Sequence, residues 1–308
     1  MQREQPEVYI TVNAELQPDP VAFWLCQLPG MTATLLLQLL ATVGSATAIM
    51  QLSSRALREQ GVPPALVAKI VAGAREVPQV AAGLKGLQRL GIIPLPLAAP
   101  TYPQRLRDLQ HPPMVVYVLG AWPVLEQLAV VVKPDAFTAE SGAAWAELSR
   151  SALSQLALAA FEPEIAPDAP APRLLGVPFG LLLARQRLAP NVWQQVVQGA
   201  TTLLSTAPPT AQLHSALAAA AIPCLPATVV GLSRAVVVGT PHGAHAEPTL
   251  AAARSLGVPA FIWGLAPGAA LPPNVRRLRP GKAGARALAA ALGITKTGAI
   301  TVQQERLF

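Results

Sequence analysis

Charge is scarce in this chain: only 13% of its 308 residues are Asp, Glu, Lys or Arg, whereas 52% are hydrophobic. That balance excludes a disordered chain and predicts a sizeable core. Cysteine is scarcer still. Cys26 and Cys224 stand far apart in apolar surroundings, which reads as two buried thiols in a reducing cytoplasm, not a disulfide or a metal site. Apolar runs that could span a bilayer are missing too; the nearest, residues 216–232, is broken by Pro223 and Pro226, so no membrane partner is expected. The first 19 residues are polar and lack a secretory pattern. No glycine-rich phosphate turn with a titratable neighbour stands out, so no cofactor is expected. His242 and His245 lie near Glu247 but lack the further ligands a metal needs.

The most informative absence is of acids in the second half. Residues 1–168 hold 11 Lys/Arg and 14 Asp/Glu, a balance of −3. Residues 169–304 hold 11 Lys/Arg against a single acid, Glu247, a balance of +10. Such asymmetry points to a polyanionic partner for the second half. The bland alternative is a solvated basic surface that only aids solubility.

What is present turns on residues 102–120, YPQRLRDLQHPPMVVYVLG. Pro112 and Pro113 cannot continue a helix. Residues 114–119 then read as a buried strand closed by Gly120. Upstream, four or five helices are predicted. Residues 20–28 would place Phe23, Trp24 and Leu28 on one face, and a helix over 32–42 follows the turn Leu28-Pro29-Gly30. Residues 47–60 come next, with Ser53-Ser54 as a dividing point, then 64–75 behind Pro63-Pro64, and 80–90 stopped by Gly91. Residues 92–101, with three prolines, read as a connector. Downstream, strands are predicted at 128–132, 200–205, 235–238 and, last, 260–263. Helices are predicted at 142–160, 192–198, 248–256 and 283–292, with a surface loop at 162–173.

Several of these stretches resemble the DprA/Smf family of DNA-processing proteins. Tyr102-Pro103, Leu106, Pro112-Pro113, the strand and Gly120 resemble the entry to that family's Rossmann-like domain. Gly176 and Gly180 match its Ser-Gly-x-Ala-x-Gly-Ile-Asp-x-x-x-His stretch. Pro190-Asn191, Gly199, Leu203, Leu204 and Ser205 match a Tyr-Pro-x-x-Asn, helix, Gly, Leu-Leu-Ser-Glu passage. Pro223, Gly231, Leu232 and Ser233 match Phe-Pro-x-Arg-Asn-Arg-Ile-Ile-x-Gly-Leu-Ser. The Leu28-Pro29-Gly30 turn resembles a helix-hairpin-helix, although Thr32 stands where the second glycine belongs.

The functional side chains depart from that pattern. Val132-Lys133-Pro134 replaces the Gly-Ser/Thr-Arg phosphate turn, and proline donates no N–H. Leu182 and Gln186 stand at the Asp and His positions, Thr206 at the Glu, and Leu225-Pro226-Ala227 at Arg-Asn-Arg. In the family those arginines belong to the DNA-binding pocket, where a planar guanidinium gives phosphate two charged hydrogen bonds. The resemblance implies an α/β protein: a Rossmann-like, mainly parallel sheet over residues 99–294 and a small all-helical domain over 19–98. Residues 1–18 and 295–308 would be a flexible and an extended tail. It implies a non-enzymatic protein of recombination or natural transformation, with single-stranded DNA, the RecA recombinase and a second copy of itself as partners. The candidate DNA contacts are Arg185, Arg187, Arg234, Arg276, Arg277, Arg279 and Lys282. Two rivals stay open: a scaffold that has lost DNA binding, and a nucleotide-processing enzyme on a related fold.

Gln304-Glu305-Arg306-Leu307-Phe308 resembles the Gln-x-x-Leu-Phe peptide that replication and repair proteins insert into a sliding clamp. Burying Leu307 and Phe308 in a partner would contribute roughly 1.5–3 kcal/mol each before ordering costs, with Gln304 supplying hydrogen bonds. The competing expectation is that both fold back on the chain's own surface. A peptide of residues 300–308 titrated against the clamp of the same cell is expected to bind saturably. Equal binding after Leu307→Ala with Phe308→Ala would end the idea.

Overall fold

The computed structural model describes residues 18–120, 129–132, 156–160, 173–177, 180–182, 186, 190–199, 201–211, 224–239, 242–243, 246–263, 270–279 and 282–291. Six α-helices lead: α1 (Pro20–Gln27), α2 (Ala33–Val43), α3 (Ala46–Gln51), α4 (Ser54–Glu59), α5 (Pro64–Ala72) and α6 (Val77–Arg89), with a 3-10 turn at Gly73–Arg75. The first four starts are capped by a side chain. Asp19 accepts the N–H groups of Val21 and Ala22, Thr32 that of Leu35, Ser45 that of Ala48 and Ser53 that of Ala56. The Ser53 cap, itself extended at ψ 156°, is why residues 47–60 form two helices and not one.

The rest alternates: β1 (Ile92–Pro96), α7 (Gln104–Arg107), β2 (Val115–Leu119), β3 (Ala129–Val132), β4 (Leu156–Ala160), β5 (Arg173–Gly176), α8 (Pro190–Val197), β6 (Thr201–Ser205), α9 (Cys224–Gly231), β7 (Ala235–Val238), α10 (Ala246–Ser255), β8 (Ala260–Trp263), β9 (Val275–Leu278) and α11 (Lys282–Ala291). All nine strands form one sheet in the order β1-β2-β6-β5-β4-β3-β7-β8-β9. From β6 to β9 every neighbouring pair is parallel, and β2 runs antiparallel to both β1 and β6. The architecture is α/β, a mainly parallel Rossmann-like sheet with an all-helical N-terminal part.

Several stretches differ from the sequence expectation. Residues 92–101, read as a connector, open with β1, which pairs Ile93 with Val118 and Leu95 with Val116. Pro94 and Pro96 are tolerated because an edge strand needs donors on one side only. Residues 156–160, read as the end of a crossover helix, are β4, paired with β3 and β5; an LALAA run between two parallel neighbours carries no strand alternation to betray it. Residue 173, read as loop, opens β5. The strand 260–263 is not the last, since β9 follows it.

The helices and the sheet share one core. Tyr117 of β2 is its hinge point: it is 2% exposed, meets Phe23 edge-on at 6.4 Å and accepts a hydrogen bond from Gln27 Nε2 at 3.2 Å. Trp24 lies against Gly73 and donates from Nε1 to Glu76 at 2.9 Å. The stretch after β1 is fixed as tightly. The Tyr102 hydroxyl donates to the Pro113 carbonyl at 2.8 Å, and the Arg107 guanidinium lies 5.9 Å from the Tyr102 ring centre while donating to the Ala99 carbonyl. Leu106 is wholly buried and rests on Gly231, where an added Cβ would come within 2.3 Å of Leu106 Cδ2. Arg105 Nη1 donates to the Ser233 carbonyl at 2.7 Å, tying α7 to the turn that feeds β7.

This core carries a pH signature. Burial pushes the Cys26 thiol up to about 12 from an ordinary 9.0, against the pull of the Ala98 and Leu97 backbone. Burial likewise raises Tyr102 and Tyr117 above their ordinary 10.0. All three stay neutral in the folded chain and ionise more readily when it unfolds. Their contribution is therefore complete below pH 9 and is lost as pH rises through the interval from 9.0 to about 12. The urea midpoint is expected to hold from about pH 7 to 8.5 and fall above it. A midpoint unchanged at about pH 11 would contradict the burial of these groups.

Candidate nucleic-acid interface

The chain lays down β3 to β6 in one direction across the sheet and then returns to place β7, β8 and β9 on the other side of β3. The β3/β7 boundary is thus the topological switch point, and the crevice beyond the carboxyl ends of those two strands is where open α/β sheets take ligands. Val132 ends β3 there; Lys133 and Pro134 lie outside the described residues. Val238 and Gly239 leave β7, and α10 begins after them. Glu247 sits in the first turn of α10, with Oε1 3.2 Å from His242 Nδ1, both side chains exposed. A carboxylate at a helix N-terminus complements the macrodipole and repels an incoming phosphate. Among the described residues no group of three or more side chains could hold a metal ion.

The neighbouring motif positions are structural. Gly180 donates its N–H to Ala211 at 3.0 Å, and an added Cβ would lie 2.1 Å from the Pro209 carbonyl oxygen, so only glycine fits there. Leu182, at the family's Asp position, is half-buried against the core; Gln186, at the His position, is exposed. Leu225 and Pro226 are buried in the first turn of α9, and Ala227 packs beside them. Proline costs no hydrogen bond there, because the first four amides of a helix have no partner within it. Where the family's pocket arginines would stand, this chain has placed core. At the Leu28-Pro29-Gly30 turn, the Thr32 hydroxyl takes the Leu35 amide at 3.2 Å and Lys69 Nζ donates to the Pro29 carbonyl at 3.2 Å, so the turn closes on itself.

The predicted cations do not form one patch. Arg276 and Arg277 are consecutive on β9, the edge strand, so their side chains leave opposite faces of the sheet. Arg276 is exposed and Arg277 only partly so. Arg279 is exposed just past the strand, and Lys282 opens α11. Arg234 is exposed between α9 and β7. Arg185, Arg187, Gln304, Leu307 and Phe308 lie outside the described residues. One cation the sequence did not single out joins this set: Arg254, exposed in the last turn of α10, shares with Arg276 and Asn274 a cleft of about 480 Å³. It lies where β8 and β9 begin, at the opposite end of these strands from the switch-point crevice. Helical spacing from Glu247 would have marked Arg254 as the other end of the same helix.

The chain's architecture has a solved counterpart. DNA processing protein A (DprA) from Streptococcus pneumoniae superposes with a TM-score of 0.60 at 14% identity, over 88% of this chain and 98% of that one. The chain has a DprA-like fold. DprA from Helicobacter pylori, described with a single-stranded DNA binding mode, gives a TM-score of 0.44 at 14% identity, over 65% of this chain and 88% of that one. No family model and no curated protein matches the sequence. The DprA-like frame and the packing positions agree: Tyr102, Leu106 and Gly231 all belong to the interlocked segment described above.

Restoring one family side chain tests how deeply the pocket has been replaced. Leu225 is 2% exposed. Leu225→Arg is expected to destabilise the fold by about 3 kcal/mol or more, because a buried guanidinium has no partner there. Thermal unfolding of this variant with no loss of stability, accompanied by tighter DNA binding, would show that the position faces solvent.

Proposed function

We propose that this chain is a non-enzymatic DNA-binding protein of DNA processing, acting on single-stranded DNA in recombination or natural transformation. The observation that carries the reading is the charge distribution on a DprA-like fold: 11 Lys/Arg against one acid over residues 169–304. The solved counterpart is named a DNA processing protein, which supports the same class. Binding would rest on scattered phosphate contacts from Arg234, Arg254, Arg276 and Arg279, not on a pocket, and so would carry little sequence preference. Arg277, half-buried on the other face of β9, would contribute mainly to stability.

The absence of chemistry belongs to the same proposal. The switch-point crevice holds Glu247 at its helix N-terminus, and the family's Asp and His positions are Leu182 and Gln186. Turnover of a nucleotide requires a phosphate cradle and a titratable group beside it. RecA, a second copy of the chain and the sliding clamp remain partners proposed from the resemblance, in a cytoplasmic setting. The division into a helical domain (19–98) and a Rossmann-like domain (99–294), with tails at 1–18 and 295–308, belongs to the same proposal.

Fluorescence anisotropy with a labelled oligothymidine at several salt concentrations tests the reading. The parent is expected to bind with a steep salt dependence. Charge reversal at Arg254, Arg276 and Arg279 is expected to lower affinity and flatten the log–log slope by roughly 0.7 per lost contact. An unchanged slope in the triple variant would remove this surface, and a parent that fails to bind at low salt would favour the scaffold.

A further inference from the structure

Helix α5, PALVAKIVA, is apolar on more sides than its packing requires. Leu66, Val67 and Ile70 face the core. A second stripe, Pro64, Val67, Ala68, Val71 and Ala72, follows the i, i+3, i+4, i+7, i+8 rule and lines a cleft of about 490 Å³. Apart from Val67, these residues are exposed. Val71 is 50% exposed and lies in this cleft. A helix apolar all round is ordinarily buried all round. The single charge of α5, Lys69, is already engaged with the Pro29 carbonyl.

The rim supplies the sign of the partner. Ser54 and Arg58 of α4 form one wall, and Arg75 stands at the far end of the stripe. No acid lines the cleft. The acids nearest in sequence are engaged: Glu59 pairs with Arg55 at 2.8 Å, and Glu76 accepts from Trp24 at 2.9 Å. Among the described residues the guanidinium groups of Arg58 and Arg75 have no hydrogen-bond or ion-pair partner. Two unpaired guanidinium groups thus flank an exposed apolar stripe whose alanines let another backbone approach closely.

We infer that the groove between α4 and α5 docks an amphipathic, acid-flanked helix of a partner protein, seated on Val71, Ala68 and Ala72 and clamped by Arg58 and Arg75. Nucleic acid fits poorly: between the two arginines the floor, Pro64, Val67, Ala68, Val71 and Ala72, offers phosphate only apolar side chains. The mode is a helix in a groove, with apolar anchors for affinity and charged flanks for register. The inference is independent of the DNA-binding proposal, which concerns the other half of the chain.

The probe is a fluorescein-labelled amphipathic peptide of about 16 residues, long enough to populate helix, with Leu and Ala on one face and Glu along both flanks. Full-length protein is expected to bind it saturably. Val71→Glu is expected to weaken binding about tenfold or more. The double variant Arg58→Glu with Arg75→Glu is expected to reject it and accept a Lys-flanked twin. All three positions are exposed, so unchanged circular dichroism is expected to accompany these losses. The inference is overturned by any of three results: no saturable binding below about 1 mM, equal binding to Val71→Glu, or equal binding of both peptides to the parent. Displacement of the peptide by an oligothymidine would reassign the groove to nucleic acid and overturn it as well. Binding that emerges only when residues 1–17 are removed would make the chain's own N-terminal segment the occupant, and the separate partner would fall.

Discussion

The seating of α7 on the end of α9 is the contact on which the architecture depends. Leu106 fills the space that a side chain at Gly231 would need, and Arg105 holds the Ser233 carbonyl across a separation of 128 residues. Tyr102 closes the same segment by bonding Pro113. The first two contacts join the segment before β2 to the return of the chain at β7, on the far side of the switch point, and the third fixes that segment. Without them, β7, β8 and β9 would be tied to the earlier half chiefly through the β3–β7 ladder. The cost of closing so long a loop is met by the buried apolar contact of Leu106, with the charge-assisted bond from the exposed Arg105 to a backbone carbonyl adding to it.

That dependence explains why a DprA-like frame persists beside a site with different chemistry. A packing position is constrained from several sides: Gly231 by Leu106, Gly180 by the Pro209 carbonyl, Tyr117 by Phe23 and Gln27. A ligand-facing position is constrained only by the ligand. At 225–227 the chain has gone further than losing polar groups. Leu225 and Pro226 are buried, so the first turn of α9 contributes to the core.

Much of the frame was legible in the sequence because punctuation and composition agree. Prolines 112 and 113 and Gly120 bracket β2, Gly91 follows α6 and Gly257 follows α10. What was illegible has physical causes. The LALAA of β4 is equally at home in a helix, and only its two parallel neighbours make it a strand. β1 carries two prolines, which local reasoning assigns to a connector; it is a strand because β2 pairs with it and α1 and α6 cover it. β9 was hidden by its own charges, since a run of arginines reads as surface cluster before it reads as strand. Its alternation splits Arg276 from Arg277, and a linear cluster becomes two separate faces. Arg254 escaped notice because nothing in its neighbourhood is distinctive; only the fold brings it to Arg276.

Several of these cations also have a local reason to exist. Arg254 in the last turn of α10 complements the negative end of a helix whose first turn holds Glu247. Arginines on β9 guard an edge strand against pairing with another chain. Arg105 and Arg107 hold carbonyls. These roles do not compete with binding a polyanion, because they act over different distances. A dipole or an edge is satisfied within one turn or one strand. The potential felt by an approaching strand of DNA sums every charge within about 8–10 Å of the surface at physiological salt. With a single acid opposing 11 bases over residues 169–304, that half keeps a positive balance even where several bases have structural work. Attraction without a pocket gives affinity that is broad, salt-sensitive and indifferent to base identity.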